Sequence, residues 1–162
     1  MTGAGNHKHY MTPTGFAALR KELLWLTREE RPRVVEIVSW AASLGDRSEN
    51  GDYIYNKKRL REIDRRLRYL TEQIENAEVV DPRRQQGLEQ VFFGATVTYV
   101  NEAEVEHVIT LVGIDEADVA AGRINWQSPF AQALLKKRVG DTLTLRAETL
   151  EVIDIKYIIQ EE

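Results

Sequence analysis

The chain has 162 residues, 43% apolar and 30% charged, with three Trp, six Tyr and four Phe; that make-up builds one large core or two small ones and excludes a disordered chain. It contains no cysteine, so disulfides and thiol chemistry are excluded, which fits a reducing compartment. The formal charge of −4 is uneven: residues 1–76 hold 14 Lys and Arg against 11 Asp and Glu, and residues 77–162 hold 8 against 15, a split that suggests two units with different partners.

Residues 1–11 are mostly small and polar and read as a flexible tail. His7 and His9 lie in it; two histidines on a tail are a poor metal site. The N-terminus lacks the apolar centre of a signal peptide. No apolar run approaches the ~20 residues of a membrane span. A soluble, cytoplasmic protein without membrane contact is expected, monomeric when free.

Residues 12–77 read as two long helices. The first opens at Thr12-Pro13-Thr14, with Thr14 as candidate N-cap. Its apolar stripe runs Leu19, Leu23, Leu26, then Val34, Ile37, Ala41, Leu44. The phase slips near Arg31-Pro32, where a proline kinks or breaks a helix. A helix over residues 14–44 is roughly 45 Å long. The second helix carries Tyr53, Leu60, Ile63, Leu67, Leu70, Ile74 and Ala77, an a/d seam of more than two heptads. Joined by a short bend, the two helices must lie antiparallel as a coiled-coil hairpin.

The bend is Ser43-Leu44-Gly45-Asp46-Arg47-Ser48-Glu49-Asn50-Gly51-Asp52. Asp46, Glu49 and Asp52 fall within seven residues of one another, bracketed by Gly45 and Gly51. One explanation is local: Asp46 as N-cap of the second helix, with Glu49 reaching back in a capping box. The other is chemical. Mg²⁺ takes one or two carboxylates and fills its remaining positions with water and phosphate. An exposed acid pair therefore completes a metal site whose other ligands come from a partner, as the second ion of two-metal phosphodiester hydrolysis requires. Beside the acids the second helix is strongly basic: Lys57, Lys58, Arg59, Arg61, Arg65, Arg66 and Arg68 are offset only by Glu62 and Asp64. That imbalance fits an RNA or DNA strand better than salt-bridge lacing.

Residues 78–90, with Asp81-Pro82 and Gln85-Gln86-Gly87, read as a linker. Over residues 91–162 the periodicity becomes alternating. Val91–Phe93, Thr96–Val100, Val108–Val112, Thr142–Leu145 and Leu150–Ile159 read as strands, and Ser128–Lys137 as one short helix, with Ser128 as N-cap and Pro129 as its first residue. The expected fold class is α+β: an N-terminal helical hairpin and a C-terminal antiparallel sheet with one short helix. That second unit has no Gly-rich phosphate loop, nucleophile elbow or metal-spaced His cluster.

The runs Arg28-Glu29-Glu30-Arg31-Pro32, Ser39-Trp40-Ala41-Ala42-Ser43-Leu44-Gly45-Asp46-Arg47-Ser48-Glu49-Asn50 and Tyr55-Asn56-Lys57-Lys58-Arg59-Leu60-Arg61-Glu62-Ile63-Asp64-Arg65-Arg66, with the later Ser128-Pro129 and Val139-Gly140-Asp141, closely resemble bacterial Gre transcript-cleavage factors, the GreB type in particular. The resemblance covers roughly residues 12–160. It implies a coiled-coil hairpin and an FKBP-like domain that docks on the rim of the RNA polymerase secondary channel. On that resemblance Asp46 and Glu49 help hold a second Mg²⁺ in the polymerase active site. The polymerase then cleaves its own backtracked RNA near the nascent 3′ end, so the chain is a stimulator and not itself an enzyme. The basic run matches the RNA-binding patch of the GreB type, Ser128 and Pro129 match the docking region, and Arg47 and Ser48 support the tip. Gly51 stands where the family usually has Ala, and Gln127 where relatives often carry Asp. Rival readings are an FKBP-type prolyl isomerase with a coiled-coil arm, a channel-entering polymerase inhibitor of the same fold, and a plain coiled-coil adaptor.

Overall fold

A computed structural model describes residues 9–45 and 47–160. Its contacts divide the chain into two units, one of residues 16–77 and one of the residues up to Gly15 together with those from Glu78 on.

The first unit is the hairpin. Strand β1 (His9–Met11) leads into α1 (Pro13–Trp25). Pro13 occupies the first helical position, where a missing N–H costs nothing. The cap is Thr12, whose Oγ1 accepts from the Gly15 amide at 3.0 Å, so the N-cap expected at Thr14 lies two residues earlier. The helix widens into a π-helical turn over Leu26–Glu30 and continues as α2 (Arg31–Ala42), the Arg31 N–H bonding to the Leu26 carbonyl five residues back. Backbone angles stay helical on both sides, so Pro32 does not break the rod. Its lost hydrogen bond is absorbed where the turn is already wide. The π turn also explains the phase slip. The buried apolar residues are Leu19, Leu26, Val34 and Ala41, spaced seven, eight and seven. The extra residue sits in the wide turn, and the seam stays on one face.

Helix α3 (Gly51–Glu75) is 25 residues long, about 37 Å at ~1.5 Å per residue. It buries Asn56, Ile63 and Leu70 at strict heptad spacing. Tyr53, Leu60, Leu67 and Ile74, expected in the same seam, are half-buried flanks, and Ala77, also expected there, lies past the end of the helix in a strand. Leu44, expected on the first helix's stripe, is 60% exposed because α2 ends at Ala42.

In the second unit, β1 pairs with β2 (Ala77–Val79) as a two-stranded ribbon. His9–Met11 is therefore structured where a tail is expected, with Met11 buried and the Tyr10 ring against Phe93 and Trp126 at 5.4 and 5.0 Å. The expected linker is packed as well: a 3₁₀ turn spans Pro82–Arg84, and Gln85 is buried and donates to the Phe93 carbonyl at 2.8 Å. The main sheet has strand order β5-β4-β3-β7-β6, from β3 (Thr96–Val100), β4 (Glu106–Val112), β5 (Arg123–Asn125), β6 (Thr142–Leu145) and β7 (Glu148–Lys156). It is mixed rather than antiparallel, because β5 runs parallel to β4. The register of β3 on β7 shifts between Thr98 and Tyr99, a bulge that bends the sheet. Val91–Phe93 is not a strand. Gly94 follows at φ 89°, in the left-handed region, and turns the chain there. Short helix α4 (Pro129–Leu134) buries Ala131 and Leu134 in one cluster with Val91, Val97, Leu111, Leu150 and Val152. No described helix is long and apolar enough to cross a membrane.

Candidate functional site: the hairpin bend and its basic helix

Helix α2 ends in a run of tightening hydrogen bonds, from Ser43 N–H to the Ser39 and Trp40 carbonyls and from Leu44 N–H to Ala41. Gly45 then takes φ 107°, a conformation open to glycine and strained for other residues. Asp46 lies outside the described residues. The chain re-enters helix at Gly51, which is the first residue of α3 and not a turn.

The cap of α3 is Asn50. Its Oδ1 accepts from the Tyr53 amide at 3.1 Å, and its Nδ2 donates to the Ala41 carbonyl at 2.8 Å. One side chain thus serves the start of α3 and the end of α2. This corrects the capping-box expectation for Asp46 and Glu49: Glu49 precedes the cap, and the N3 position belongs to Tyr53. Asn50 is legible in the sequence as an N-cap residue type ahead of Gly51-Asp52-Tyr53, with a carboxylate residue on one side and a helix start on the other. Asp52 sits in the first turn, as suits the helix dipole, and its carbonyl accepts from Asn56 Nδ2. Arg47 lies over the Tyr53 ring, 5.4 Å from its centroid, which holds the bend against α3. Ser48 and Glu49 are exposed, and Glu49 makes no hydrogen bond or ion pair among the described residues.

The donor set at the bend is all carboxylate, which suits a hard cation. No group of three or more His, Cys, Asp or Glu able to hold a metal exists among the described residues.

The basic residues divide into two sets. Arg59 and Arg66 are engaged within the hairpin. Arg59 reaches Glu30 at 3.2 Å and Glu62 at 4.0 Å, and Arg66 makes two hydrogen bonds to Glu22 at 2.7 and 2.8 Å. Glu30, 8% exposed, is also gripped by Arg33. The Arg33 hydrogen bond, with help from Arg59, holds its carboxyl below the usual range. Asp64 is lowered in the same way by Arg31, and Glu22 by Arg66. Lys57, Lys58, Arg61 and Arg65 are exposed and form no ion pair among the described residues, while exposed Arg68 acts on Asp64 only at longer range. At about 100° per residue these five cations span an arc of about 100°, roughly opposite the Ile63–Leu70 seam. Packing spends two of the seven cations and leaves five on one open face.

In the sheet unit, Ser128 is half-buried and its Oγ accepts from the Ala131 amide at 3.3 Å as the N-cap of α4. Pro129 is exposed beside it, and Gln127 is exposed with its amide on Asn125 Oδ1. These residues belong to the other unit.

The N-terminal family model described as transcription elongation factor, N-terminal, matches residues 9–79, and the GreA/GreB C-terminal one matches residues 85–157. The chain is 50% identical over 155 residues to transcription elongation factor GreB of Neisseria meningitidis serogroup B, covering 93% of this chain and 95% of that protein. It is 53% identical over 132 residues to GreB of Pseudomonas syringae pv. tomato, covering 81% and 83%. Among solved structures, the GreA factor homolog 1 (Gfh1) protein of Thermus thermophilus aligns at 22% identity and TM-score 0.44, over 92% of this chain and 99% of that one. With both family models matched in order along most of its length, the chain belongs to the GreA/GreB family of transcription elongation factors.

Proposed function

We propose that this transcription elongation factor inserts its hairpin into the secondary channel of RNA polymerase and lends Asp46 and Glu49 to the second Mg²⁺ of the polymerase active site. The chain's own part is to place carboxylates and bind RNA; the ion, completed by polymerase ligands and water, supplies the hydrolytic chemistry. The polymerase cleaves its backtracked transcript and resumes from the new 3′ end. Lys57, Lys58, Arg61, Arg65 and Arg68 would hold the extruded RNA, with Arg59 and Arg66 behind them. Ser128 and Pro129 would mark the docking surface of the sheet unit.

The observation that carries this reading is Asn50. Because Asn50 caps α3, the fold does not use Glu49 for that purpose, and Glu49 stands exposed without a partner among the described residues. An acid without a structural task at the end of a helical rod is available to a metal.

The test uses a stalled, backtracked polymerase complex with 3′-labelled RNA and Mg²⁺. Wild type should release short labelled fragments. The Asp46→Asn/Glu49→Gln double variant should bind the complex equally and cleave ~10²-fold slower or worse, since a catalytic ion supplies several kcal/mol of charge stabilisation. Equal cleavage by both would remove the acids from the mechanism. Binding that slows synthesis without any cleavage by wild type would make the chain a channel inhibitor.

A further inference from the structure

Five of the six tyrosines are engaged. Tyr10 packs on Phe93 and Trp126, Tyr53 lies under Arg47, Tyr69 lies under Arg66, and Tyr99 meets His107 and Phe130. The Tyr157 hydroxyl donates to the Gln90 carbonyl and accepts from the Phe92 amide. Tyr55 is the exception. It is 69% exposed, more than any other aromatic side chain among the described residues, and makes no ring contact or hydrogen bond there. Its neighbour Ile54 is 51% exposed. Helix α3 thus presents two large apolar side chains to water at its tip end, in a hairpin whose core is a single row.

Their place on the helix matters. Tyr55 precedes Lys58 by three residues and Arg59 by four, and Ile54 precedes Lys57 by three and Lys58 by four, spacings that put side chains side by side on a helix. The free ring therefore sits at the edge of the open cationic stripe. A cationic track that follows a phosphate backbone, joined to an aromatic face free to receive a base, is the physical combination that binds single-stranded nucleic acid without regard to sequence.

We propose that Tyr55 is a stacking platform for an unpaired base of single-stranded RNA whose phosphates run along Lys57, Lys58, Arg61, Arg65 and Arg68. The inference rests on the RNA-holding part of the function proposed above. It adds a base contact to a surface otherwise read as a phosphate contact. The ring does the work and the hydroxyl does not, because stacking uses the π face.

The test uses the full-length protein without polymerase or Mg²⁺. Two 5′-labelled probes, a 12-mer of adenosine and a ribose-phosphate 12-mer lacking bases, are titrated by fluorescence anisotropy over a series of KCl concentrations. Wild type should prefer the adenosine probe. Tyr55→Ala should weaken that probe by about 5- to 100-fold, down to the level of the abasic one. It should leave the abasic affinity and the salt slope unchanged, and Tyr55→Phe should restore the preference. Circular dichroism of Tyr55→Ala should match wild type, since the residue supports no packing. The proposal is overturned if wild type binds both probes equally, or if Tyr55→Ala weakens both probes alike. Neither result touches the tip acids: transcript cleavage that depends on Asp46 and Glu49 would stand without stacking, and stacking would stand if the acids proved idle.

Discussion

The hairpin and the sheet unit hold themselves together in different ways. The sheet unit surrounds one cluster of eleven buried residues, contributed by the strands, α4 and the segments on either side. The hairpin has no such centre. It buries one stripe per rod, Leu19, Leu26, Glu30, Val34 and Ala41 on one and Asn56, Ile63 and Leu70 on the other, and two of these, Glu30 and Asn56, are polar. Charge pairs line the edges of the seam: Arg31 with Asp64, Glu30 with Arg33 and Arg59, Glu22 with Arg66. A two-helix rod can bury only one stripe per helix. Nearly all the rest is surface, and the open basic face and the acidic bend are drawn from it. The sheet unit is organised around a shared core; the hairpin is held by a thin seam.

The largest test of that contrast is truncation at the cores. Ile63→Ala or Leu70→Ala should cost about 2–5 kcal/mol in the hairpin, as should Leu111→Ala or Leu134→Ala in the sheet unit. The costs should fall in different places. Amide hydrogen exchange should show the hairpin variants losing protection over residues 16–77 alone, because no second layer of apolar contacts remains behind the seam. The sheet variants should lose it over residues 91–157. Equal loss across the whole chain would mean that the two units open as one cooperative body, and the comparison would collapse.

A middle-sized effect separates the units by pH. Glu30, Asp64 and Glu22 all have folded pKa values below their ordinary values of 4.5, 3.8 and 4.5, chiefly through hydrogen bonds from Arg33, Arg31 and Arg66. A depressed carboxyl stabilises the fold above its unfolded pKa, and that stability is lost as pH falls through the folded pKa. The hairpin should therefore loosen as pH drops below about 4.5. Glu30→Gln, which leaves half-buried Arg59 with only its longer contact to Glu62, should cost about 1–2 kcal/mol at neutral pH and flatten the acid limb of the hairpin's stability curve. The curve is read by circular dichroism at 222 nm from pH 7 to pH 3. A Glu30→Gln hairpin with an unchanged acid limb would remove Glu30 from the account.

How much of this was legible depended on how local the signal was. The heptads of α3 declared the seam, and Ile63 and Leu70 stand in it. Ser128 and Pro129 announced the start of α4 by cap chemistry that acts over three residues. The acidic motif of the bend, an unusual local run, carried the family resemblance. What failed to read was set by longer-range accounting. The slip before Pro32 looked like a kink because sequence shows the missing N–H but not the π turn that absorbs it. Val91–Phe93 has strand composition, yet Val91 exchanges backbone bonds with Lys136 and Lys137, far along the chain. His9–Met11 looked like a tail because its partner, β2, lies more than sixty residues away. The division of the cations was hidden for the same reason, since Arg59 and Arg66 look like their neighbours until the antiparallel pairing brings Glu30 and Glu22 beside them.

That division gives the smallest and most discriminating effect. Arg66 is bidentate to Glu22, but the pair is well exposed; such pairs contribute about 0.2–1 kcal/mol. Arg61 has no ion-pair partner among the described residues, and its removal should change stability by no more than about 0.5 kcal/mol. Binding should rank the two the other way. Arg61→Ala should lower the salt slope for single-stranded RNA by about one unit, the signature of one lost phosphate contact. Arg66→Ala should lower it by less, because its guanidinium is already occupied on the hairpin side. Both quantities come from paired thermal melts and salt titrations of the same two proteins. If the stability and slope changes ranked together instead, the cations of α3 would form one undivided exterior, and the separation into structural and RNA-facing sets would be wrong. If they rank oppositely, a stretch of less than two turns of α3 holds two populations of arginine with different tasks, told apart only by which carboxylate the opposite helix brings within reach.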